Sequence, residues 1–245
     1  MRAVAVIPTY DEVDNLRPLV VRLRAAVADL GIVIVDDASP DGTAALARSL
    51  AAELGDIDVI ERPAKQGLGS AYRSGFAHAL AAGAEVCVQL DADLSHDPAV
   101  LPALLANIEH GADLAIGSRY VPGGRTVEWP WGRRWLSRWA NRYAAGVLGL
   151  AVNDATSGYR AYRAELLSRM DVDTITAEGY GFQIEMTHRL VRAGGSVVEF
   201  PIEFRDRQAG SSKLSGGIVR EAFGLVGRLW LDDRRDRRRR RRLSG

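Results

Sequence analysis

Short, continuously apolar runs alternate with longer segments of helical periodicity over the first half of the chain. Residues 3–7 (AVAVI) and 32–37 (IVIVDD) are rich in valine and isoleucine, as strands covered on both faces usually are. Between these runs, apolar residues recur at helical spacing and the pattern ends at Gly31. The order of helix and strand then repeats as far as residue 118. This alternation predicts a single α/β domain with a mostly parallel sheet and helices on both faces.

The regular alternation ends near residue 120, where a loop rich in Gly, Pro and Trp begins. Beyond it, the pattern predicts two further helices, at residues 133–149 and 181–194, and two further strands, at residues 157–163 and 196–206. The last of these strands is expected at a sheet edge, because Pro201 cannot donate to a ladder. Residues 216–231 have helical periodicity and are expected to lie either on the fold or on a bilayer surface.

The composition is that of a soluble globular protein. Of the 245 residues, 47% are hydrophobic and 26% are charged, which is enough to build one large domain. We expect no leader peptide and no membrane span, since no apolar run approaches about 18 residues. Cys87 is the only cysteine, so an intrachain disulfide is excluded and a reducing compartment is allowed.

The net charge of +1 conceals a basic C-terminus. Eight arginines lie between Arg234 and Arg242, so the rest of the chain is net acidic. Such a run is typical of a solvated tail, of a segment held at an anionic membrane surface, or of a non-specific nucleic-acid contact. Among these three, we favour the membrane surface.

Two carboxylates follow the apolar run 86–90 with one residue between them. Asp91 and Asp93 point the same way if the backbone is extended, so something positive is needed to offset their repulsion. A divalent cation bound by carboxylates and substrate phosphates, such as Mg²⁺ or Mn²⁺, would do so. The alternative is a loop in which one aspartate caps the next helix and the other is solvated. Ser95 and His96 would add ligands in the first case, and Ser95 would cap a helix in the second.

Charged side chains also follow the other predicted strands, where ligands of parallel α/β sheets bind. The first strand ends without a G-x-G-x-x-G sequence, which argues against a dinucleotide dehydrogenase. The second ends in Asp36 and Asp37, either of which could accept hydrogen bonds from a ribose or a base. Arg119 ends a later strand. The chemistry is therefore expected at this edge of the sheet.

Four stretches of the first half resemble the family 2 glycosyltransferases, which are inverting enzymes of the GT-A fold, a Rossmann-like α/β architecture. They are PTYDEVDNL (8–16), VDDASPDGT (35–43), KQGLGSAYRSG (65–75) and DADLSH (91–96). Four later stretches look like the polyprenol (dolichol) phosphate mannose synthases within that family. These are GSRYVPGG (117–124), DATSGYRAYR (154–163), EGYGFQIEM (178–186) and FRDRQAGSSKL (204–214). The resemblance extends from residue 3 to about residue 215.

The resemblance implies a role for individual residues. A guanosine pocket would be lined by Pro8, Tyr10, Glu12, Val35 and Asp37. The donor diphosphate would be held by Asp91, Ala92 and Asp93 through a metal, with Ser95 as a further ligand. Arg207 and Lys213 would close over the donor phosphates. The acceptor phosphate would be bound by Arg119, Arg133 and Ser137, with Arg119 also reaching the donor. Asp91, Asp93, Arg119 and Arg133 would carry the catalysis.

The implied reaction transfers mannose from GDP-mannose to a polyprenyl phosphate, with Mg²⁺ or Mn²⁺ as cofactor and inversion at the anomeric carbon. Residues 1–118 would bind the nucleotide sugar and residues 119–230 the acceptor. Residues 231–245 would form a basic tail that holds the protein on the cytoplasmic face of a membrane. A membrane-protein partner is left open, and no specific nucleic acid is expected.

Three alternatives remain at this point. The donor could be UDP-glucose or a related UDP-sugar, with the same phosphate chemistry. The acceptor could be a sugar hydroxyl, in which case Asp154 is the candidate general base. The chain could also be a non-catalytic nucleotide-binding or nucleic-acid-binding protein.

Overall fold

The structure is a computed structural model that describes residues 1–206 and 223–235. Seven strands of this part form one sheet: β1 (Ala3–Thr9), β2 (Gly31–Asp36), β3 (Ile57–Glu61), β4 (Val86–Gln89), β5 (Leu114–Ser118), β7 (Arg160–Arg163) and β8 (Val197–Pro201). Two short strands, β6 (Arg125–Thr126) and β9 (Glu203–Phe204), pair separately. The order across the large sheet is β3-β2-β1-β4-β7-β5-β8.

The strand pairing confirms the mostly parallel sheet. β1 pairs in parallel with both β2 and β4, and every residue of β1 is buried, as its unbroken apolar sequence predicts. β7 is the exception, since it runs antiparallel between β4 and β5. β8 pairs with β5 at the edge of the sheet, and Pro201 is its last residue. The edge position was therefore predicted correctly, although the predicted strand at residues 196–206 is divided into β8 and β9.

Eight α-helices accompany the strands in the described residues: α1 (Val13–Ala26), α2 (Thr43–Leu54), α3 (Leu68–Ala81), α4 (Leu101–Glu109), α5 (Trp131–Leu148), α6 (Ala164–Ser168), α7 (Gly179–Arg192) and α8 (residues 223–235). They cover both faces of the sheet, and each face has its own apolar core. One core includes residues of α1, α2 and α4, and the other includes residues of α3, α5, α7 and α8. Helices on both faces are thus confirmed.

Helix α3 lies unusually close to the sheet. A side-chain carbon at Gly75 would overlap Cγ1 of Val6 and would lie 3.1 Å from Cγ2 of Val35. Glycine is therefore needed here for close packing, and the helix is held tightly against β1 and β2. This packing fixes the position of the α3 side chains that lie near the end of β4.

Helix α8 packs on the fold rather than standing apart from it. Leu225 and Val226 are buried in one apolar core, and Asp233 accepts a hydrogen bond from His188 of α7 at 3.2 Å. The helix continues to residue 235 and so extends past the predicted start of the basic tail at residue 231. The remaining tail, residues 236–245, lies outside the described residues.

Strands from both predicted halves share the large sheet. β7, from the later half, is inserted between β4 and β5 of the earlier half. The chain thus builds one domain. The predicted donor and acceptor halves would therefore be two surfaces of the same domain. Within residues 1–206 and 223–235, no helix combines the length and the apolarity needed to cross a bilayer.

Candidate active site

A cavity of about 610 Å³ lies beyond the carboxyl ends of the central strands. It is bordered by most of the residues that the sequence singled out. These are Pro8, Tyr10, Glu12, Asp37, Asp91, Ala92, Asp93, Ser95, Arg119 and Arg133. We call it the strand-end cavity. Its position is the one expected for a ligand of a parallel α/β sheet.

The aspartate pair follows β4 at the floor of this cavity. Asp91 accepts a hydrogen bond from the hydroxyl of Tyr72 at 2.8 Å, and Asp93 accepts one from the backbone N–H of Ser95 at 3.1 Å. A side-chain carbon at Gly158 would lie only 2.9 Å from Oδ2 of Asp91. The loop that contains Gly158 therefore presses closely on this carboxylate.

The two carboxylates fit a divalent cation that takes its other ligands from a substrate. Their oxygens are hard donors of the kind that Mg²⁺ and Mn²⁺ prefer, and such ions commonly combine one or two carboxylates with substrate phosphates. The described residues contain no group of three or more His, Cys, Asp or Glu side chains arranged to hold a metal. The expectation that His96 adds to the pair as a ligand is therefore not supported.

His96 borders the cavity as a neutral side chain. Burial lowers the pKa of His96 to about 4, although nearby Asp93 acts in the opposite direction. Its ring packs against Tyr159 and Phe204, with centroids 5.2 Å away in each case. At neutral pH this histidine adds no charge to the site.

Arg119 is buried and is held by Asp154. Its Nε donates to Oδ2 at 2.7 Å and its Nη2 donates to Oδ1 at 2.6 Å. Nη2 also donates to Thr156 Oγ1 at 2.8 Å. Although burial alone would raise the pKa of the Asp154 carboxyl, the Arg119 guanidinium holds it below its usual value. Asp154 therefore stays ionised and orients Arg119.

Arg133 enters the cavity from α5. Its guanidinium lies 4.0 Å from the centre of the Trp129 ring and donates to Asp206 Oδ2 at 2.7 Å. The indole N–H of Trp129 donates to Oδ1 of the same aspartate at 3.0 Å. Trp129 and Asp206 together hold Arg133 at the edge of the cavity. Asp206 was not singled out from the sequence, although it lies inside the quoted FRDRQAGSSKL stretch.

Two of the predicted site residues that the structure describes, Val35 and Ser137, do not border the strand-end cavity. The side chain of Val35 is wholly buried in the core that contains α3, so its role in a guanosine pocket stays a prediction. Ser137 accepts a hydrogen bond from Tyr120 at 2.6 Å and faces a neighbouring groove. Arg207 and Lys213 lie outside the described residues.

The neighbouring groove is smaller and mostly apolar. It has a volume of about 120 Å³ and lies between α5, α7 and α8. Arg133, Thr156 and Tyr180 border both this groove and the strand-end cavity. We call it the apolar groove. An elongated ligand could therefore place a polar group in the cavity and an apolar group in the groove.

The two aspartates at the end of β2, Asp36 and Asp37, have different environments. Asp36 accepts hydrogen bonds from Thr9 at 2.9 Å and from Ser39 at 2.6 Å, which ties it into the fold. Asp37 borders the cavity and is ion-paired with buried Arg62. Of the two, Asp37 is therefore the one placed to meet a ligand.

Two further cavity residues were missed by the sequence analysis. Lys65 places its ammonium 3.5 Å from the centre of the Tyr10 ring. Glu178 accepts hydrogen bonds from the backbone N–H groups of Gly69 at 2.7 Å and Ser70 at 3.2 Å, at the first turn of α3. A phosphate at this turn would have to displace Glu178. Both residues lie inside stretches quoted above for the family resemblance, so the resemblance was the signal that could have identified them.

Comparison with known proteins places this site in a family. The model of "Glycosyl transferase family 2" matches residues 4–170. A polyprenol monophosphomannose synthase of Mycolicibacterium smegmatis is 48% identical over 97% of this chain and 90% of that protein. An undecaprenyl-phosphate mannosyltransferase of Micrococcus luteus is 48% identical over 94% of this chain and 95% of that protein.

More distant proteins share the fold. A dolichol-phosphate mannosyltransferase of Pyrococcus furiosus is 37% identical over 94% of this chain and 64% of that longer protein. Glucosyl-3-phosphoglycerate synthase of Mycobacterium tuberculosis, solved with Mn²⁺, UDP-glucose and phosphoglyceric acid, has a TM-score of 0.69. It is 18% identical and is matched over 94% of this chain and 79% of that structure. The fold is thus the GT-A fold, and the chain belongs to glycosyl transferase family 2.

Proposed function

We propose that this protein is a polyprenyl-phosphate mannosyltransferase, which transfers mannose from GDP-mannose to a polyprenyl monophosphate with inversion at the anomeric carbon. One observation carries the proposal. Two relatives that are 48% identical over almost their whole length are named as mannosyltransferases of polyprenyl phosphates. The polar strand-end cavity and the adjoining apolar groove have the chemistry that such a pair of substrates needs.

The donor would occupy the side of the cavity built from residues 1–118. Glu12 and Asp37 offer carboxylate oxygens to the N–H and O–H groups of a nucleoside, and Tyr10 offers an aromatic face. Asp91 and Asp93 lie at the floor, with the backbone of Ala92 between them. Arg207 and Lys213 are proposed to approach the donor phosphates from outside the described residues.

The cation would be Mg²⁺ or Mn²⁺, held by Asp91 and Asp93 with Ser95 nearby. When bound, such an ion offsets the negative charge that develops on a departing diphosphate. The chain's own contribution is to hold the two carboxylates at the end of a buried strand. The Mn²⁺ in the Mycobacterium tuberculosis enzyme belongs to a protein that is only 18% identical, so the choice of metal is part of the proposal.

The acceptor phosphate would lie between Arg119 and Arg133. Guanidinium groups bind phosphate through several N–H donors, and both arginines are held in place by carboxylates. Because Asp154 accepts from Nε and Nη2 of Arg119, the phosphate would meet this arginine through Nη1. A phosphate monoester is already anionic at neutral pH, so the reaction needs positioning more than it needs a strong general base. The low pKa of Asp154 agrees with this requirement, because it makes that carboxylate a weak base.

The lipid chain of the acceptor would start in the apolar groove. Arg133 borders both spaces, so a phosphate near it could continue into the groove through its first isoprenyl groups. The groove is lined mainly by apolar side chains of α5, α7 and α8, such as Ala144, Ile184 and Val226. Ser137 lies in the same groove and is proposed to contact the phosphate from that side.

We propose that α5 holds the protein on an anionic membrane surface. Trp131, Trp135 and Trp139 recur every fourth residue along the helix and are 74%, 57% and 44% exposed. The 18-residue helix contains no Asp or Glu, and its exposed arginines are Arg134, Arg138 and Arg142. Tryptophan is enriched at bilayer interfaces, and an arginine near an anionic surface contributes about 1 kcal/mol.

The basic tail is proposed to add to this attraction. Its arginines begin in the last turn of α8 and continue beyond it in the sequence, and α8 packs beside α5 and α7 around the apolar groove. The cytoplasmic face of the membrane is proposed because it carries anionic lipid. A membrane-protein partner is proposed to bind the same surface.

Competition between nucleotides tests the donor assignment. We expect GDP to compete with GDP-mannose in the presence of Mn²⁺, and UDP to compete at least about tenfold more weakly, since one lost hydrogen bond to a buried base costs about that factor. The D91N/D93N double variant should lose metal-dependent nucleotide binding. Preferential competition by UDP would show that the donor is a UDP-sugar and not GDP-mannose. Unchanged binding by the double variant would favour a non-catalytic nucleotide-binding protein.

A further inference from the structure

Tyr72 lies wholly buried below the strand-end cavity, with its ring held between two neighbours. The ring stacks on Phe76 at a centroid distance of 5.8 Å and on Phe182 at 5.9 Å. The planes are nearly parallel in both cases, at 22° and 11°. Phe76 is on the same helix, α3, whereas Phe182 is on α7. The ring therefore cannot change its rotamer unless two helices move apart.

The helix that carries Tyr72 is fixed as firmly as its ring. Gly75 brings α3 against β1 and β2, as described above. Near its first turn, a side-chain carbon at Gly69 would lie 2.7 Å from the backbone oxygen of Ala177. The helix backbone is thus packed closely against the sheet on one side and against the start of α7 on the other. The phenol hydroxyl has a defined position relative to the end of β4.

The only hydrogen bond described for this hydroxyl goes to Asp91. The Tyr72 O–H donates to Oδ1 of Asp91 at 2.8 Å. On the other side of the carboxylate, the backbone at Gly158 leaves no room beside Oδ2 for even one more carbon. A hydrogen bond on one oxygen and close packing on the other together set the orientation of the carboxylate. A carboxylate offers about four lone-pair positions, so this bond is compatible with a role as a metal ligand.

We propose that Tyr72 is a positioning residue for the donor site. Its hydroxyl orients the Asp91 carboxylate toward the divalent cation and the donor diphosphate. The inference rests on the proposed function, because it assumes that Asp91 holds the cation. Hydrogen bonds to ligand side chains commonly set the affinity of a metal site, and removing one typically costs about 10-fold to 100-fold in metal affinity.

A second buried tyrosine provides a matched control. Tyr159 is also wholly buried, but its hydroxyl has no hydrogen-bond partner among the described residues. Changing either tyrosine to phenylalanine removes one buried oxygen and keeps the ring. Only the change at Tyr72 removes a hydrogen bond to Asp91. The comparison therefore separates the bond from the general effect of altering an aromatic core.

The experiment measures Mn²⁺ binding directly, in the presence of GDP as a diphosphate probe. Free Mn²⁺ is followed by electron paramagnetic resonance for the wild-type protein, Y72F and Y159F, and thermal unfolding checks that each variant is folded. We expect Y72F to bind Mn²⁺ about 10-fold to 100-fold more weakly, and Y159F to remain within about twofold of wild type. In steady-state assays, Y72F should need more Mn²⁺ and should recover most of its kcat at saturating Mn²⁺.

A third variant approaches the same carboxylate from the other side. Gly158→Ala should press on Oδ2 of Asp91 and weaken Mn²⁺ binding while Tyr72 is intact. Wild-type Mn²⁺ affinity in Y72F would overturn the inference, and so would equal losses in Y72F and Y159F. If the wild-type protein itself binds no Mn²⁺ with GDP, the proposed donor site fails rather than the role of Tyr72 alone.

Discussion

Asp154 and Arg119 form a buried, two-pronged ion pair beside the strand-end cavity. Two hydrogen bonds of 2.7 and 2.6 Å join the guanidinium to the carboxylate, and the backbone N–H of Arg119 adds a third at 3.0 Å. The carboxylate is wholly buried, and Arg119 is 3% exposed. This arrangement assigns Asp154 to holding an arginine, and it argues against the alternative in which Asp154 is the base for a sugar hydroxyl.

We predict that D154N destabilises the protein and impairs the acceptor site. The change leaves the buried cation of Arg119 without a charged partner, which typically costs about 3–5 kcal/mol of unfolding free energy. Urea denaturation measures the loss. The exposed pair of Glu165 and Arg169 provides the control, since E165Q should change the unfolding free energy by less than about 1 kcal/mol. A D154N protein as stable as wild type would contradict this role for the pair.

The ion pair also predicts how stability depends on pH. Burial acts to raise the pKa of Asp154, but the charge and hydrogen bonds of Arg119, together with the charge of Arg160, hold it below its ordinary value of 3.8. The carboxylate therefore stabilises the fold fully above pH 3.8, and this contribution is lost as the pH falls through the lower folded-state pKa. The difference in unfolding free energy between wild type and D154N should be constant from pH 7 to 5 and shrink below 3.8. A difference that shrinks above pH 5 would contradict the assignment.

Replacing Arg133 should weaken the acceptor selectively. R133Q removes the guanidinium that Trp129 and Asp206 hold at the boundary between cavity and groove. We expect the KM for a short-chain polyprenyl phosphate to rise about 10-fold to 100-fold, since a charge-assisted contact contributes about 1.5–3 kcal/mol. The KM for GDP-mannose should change much less. Arg17, an exposed arginine of α1, gives the control, and an equal effect of R17Q would show that the contact is not specific.

Removing the tryptophans of α5 should release the protein from membranes. The triple variant W131A/W135A/W139A is expected to bind vesicles containing anionic lipid at least about 100-fold more weakly, since each buried aromatic side chain contributes about 1.5–3 kcal/mol. Vesicle co-sedimentation measures the affinity. Val21, which is 50% exposed on α1, gives a control variant, V21S, that should bind as wild type does. Unchanged binding by the triple variant would leave the tail as the anchor.

The sheet and the location of the site could be predicted from the sequence because burial on both faces leaves a simple pattern. Strands such as β1 and β4 have no solvated face, so they appear as unbroken apolar runs. The charged residues that end these runs, including Asp91 and Arg119, then mark the edge where ligands bind. The antiparallel direction of β7 leaves no comparable pattern, because it depends on the path of the chain through the second half.

The contacts that orient the site residues could not be predicted in the same way. The Asp154–Arg119 pair and the Tyr72–Asp91 bond join residues that are far apart in sequence, and no periodicity connects them. The resemblance also identified motifs without resolving which way each side chain faces. Val35 lies in the VDDASPDGT stretch, yet its side chain faces the core, whereas Asp37, two residues further on, borders the cavity.

The central claim is tested most directly by identifying the lipid product. Purified protein would be supplied with Mn²⁺ and a short-chain polyprenyl phosphate, with GDP-mannose and UDP-glucose compared in parallel reactions. We predict a mannosylated lipid from GDP-mannose alone, and its loss when the metal is chelated or in D91N/D93N. A glucosylated lipid from UDP-glucose, or a mannolipid that forms equally well without metal, would contradict the account.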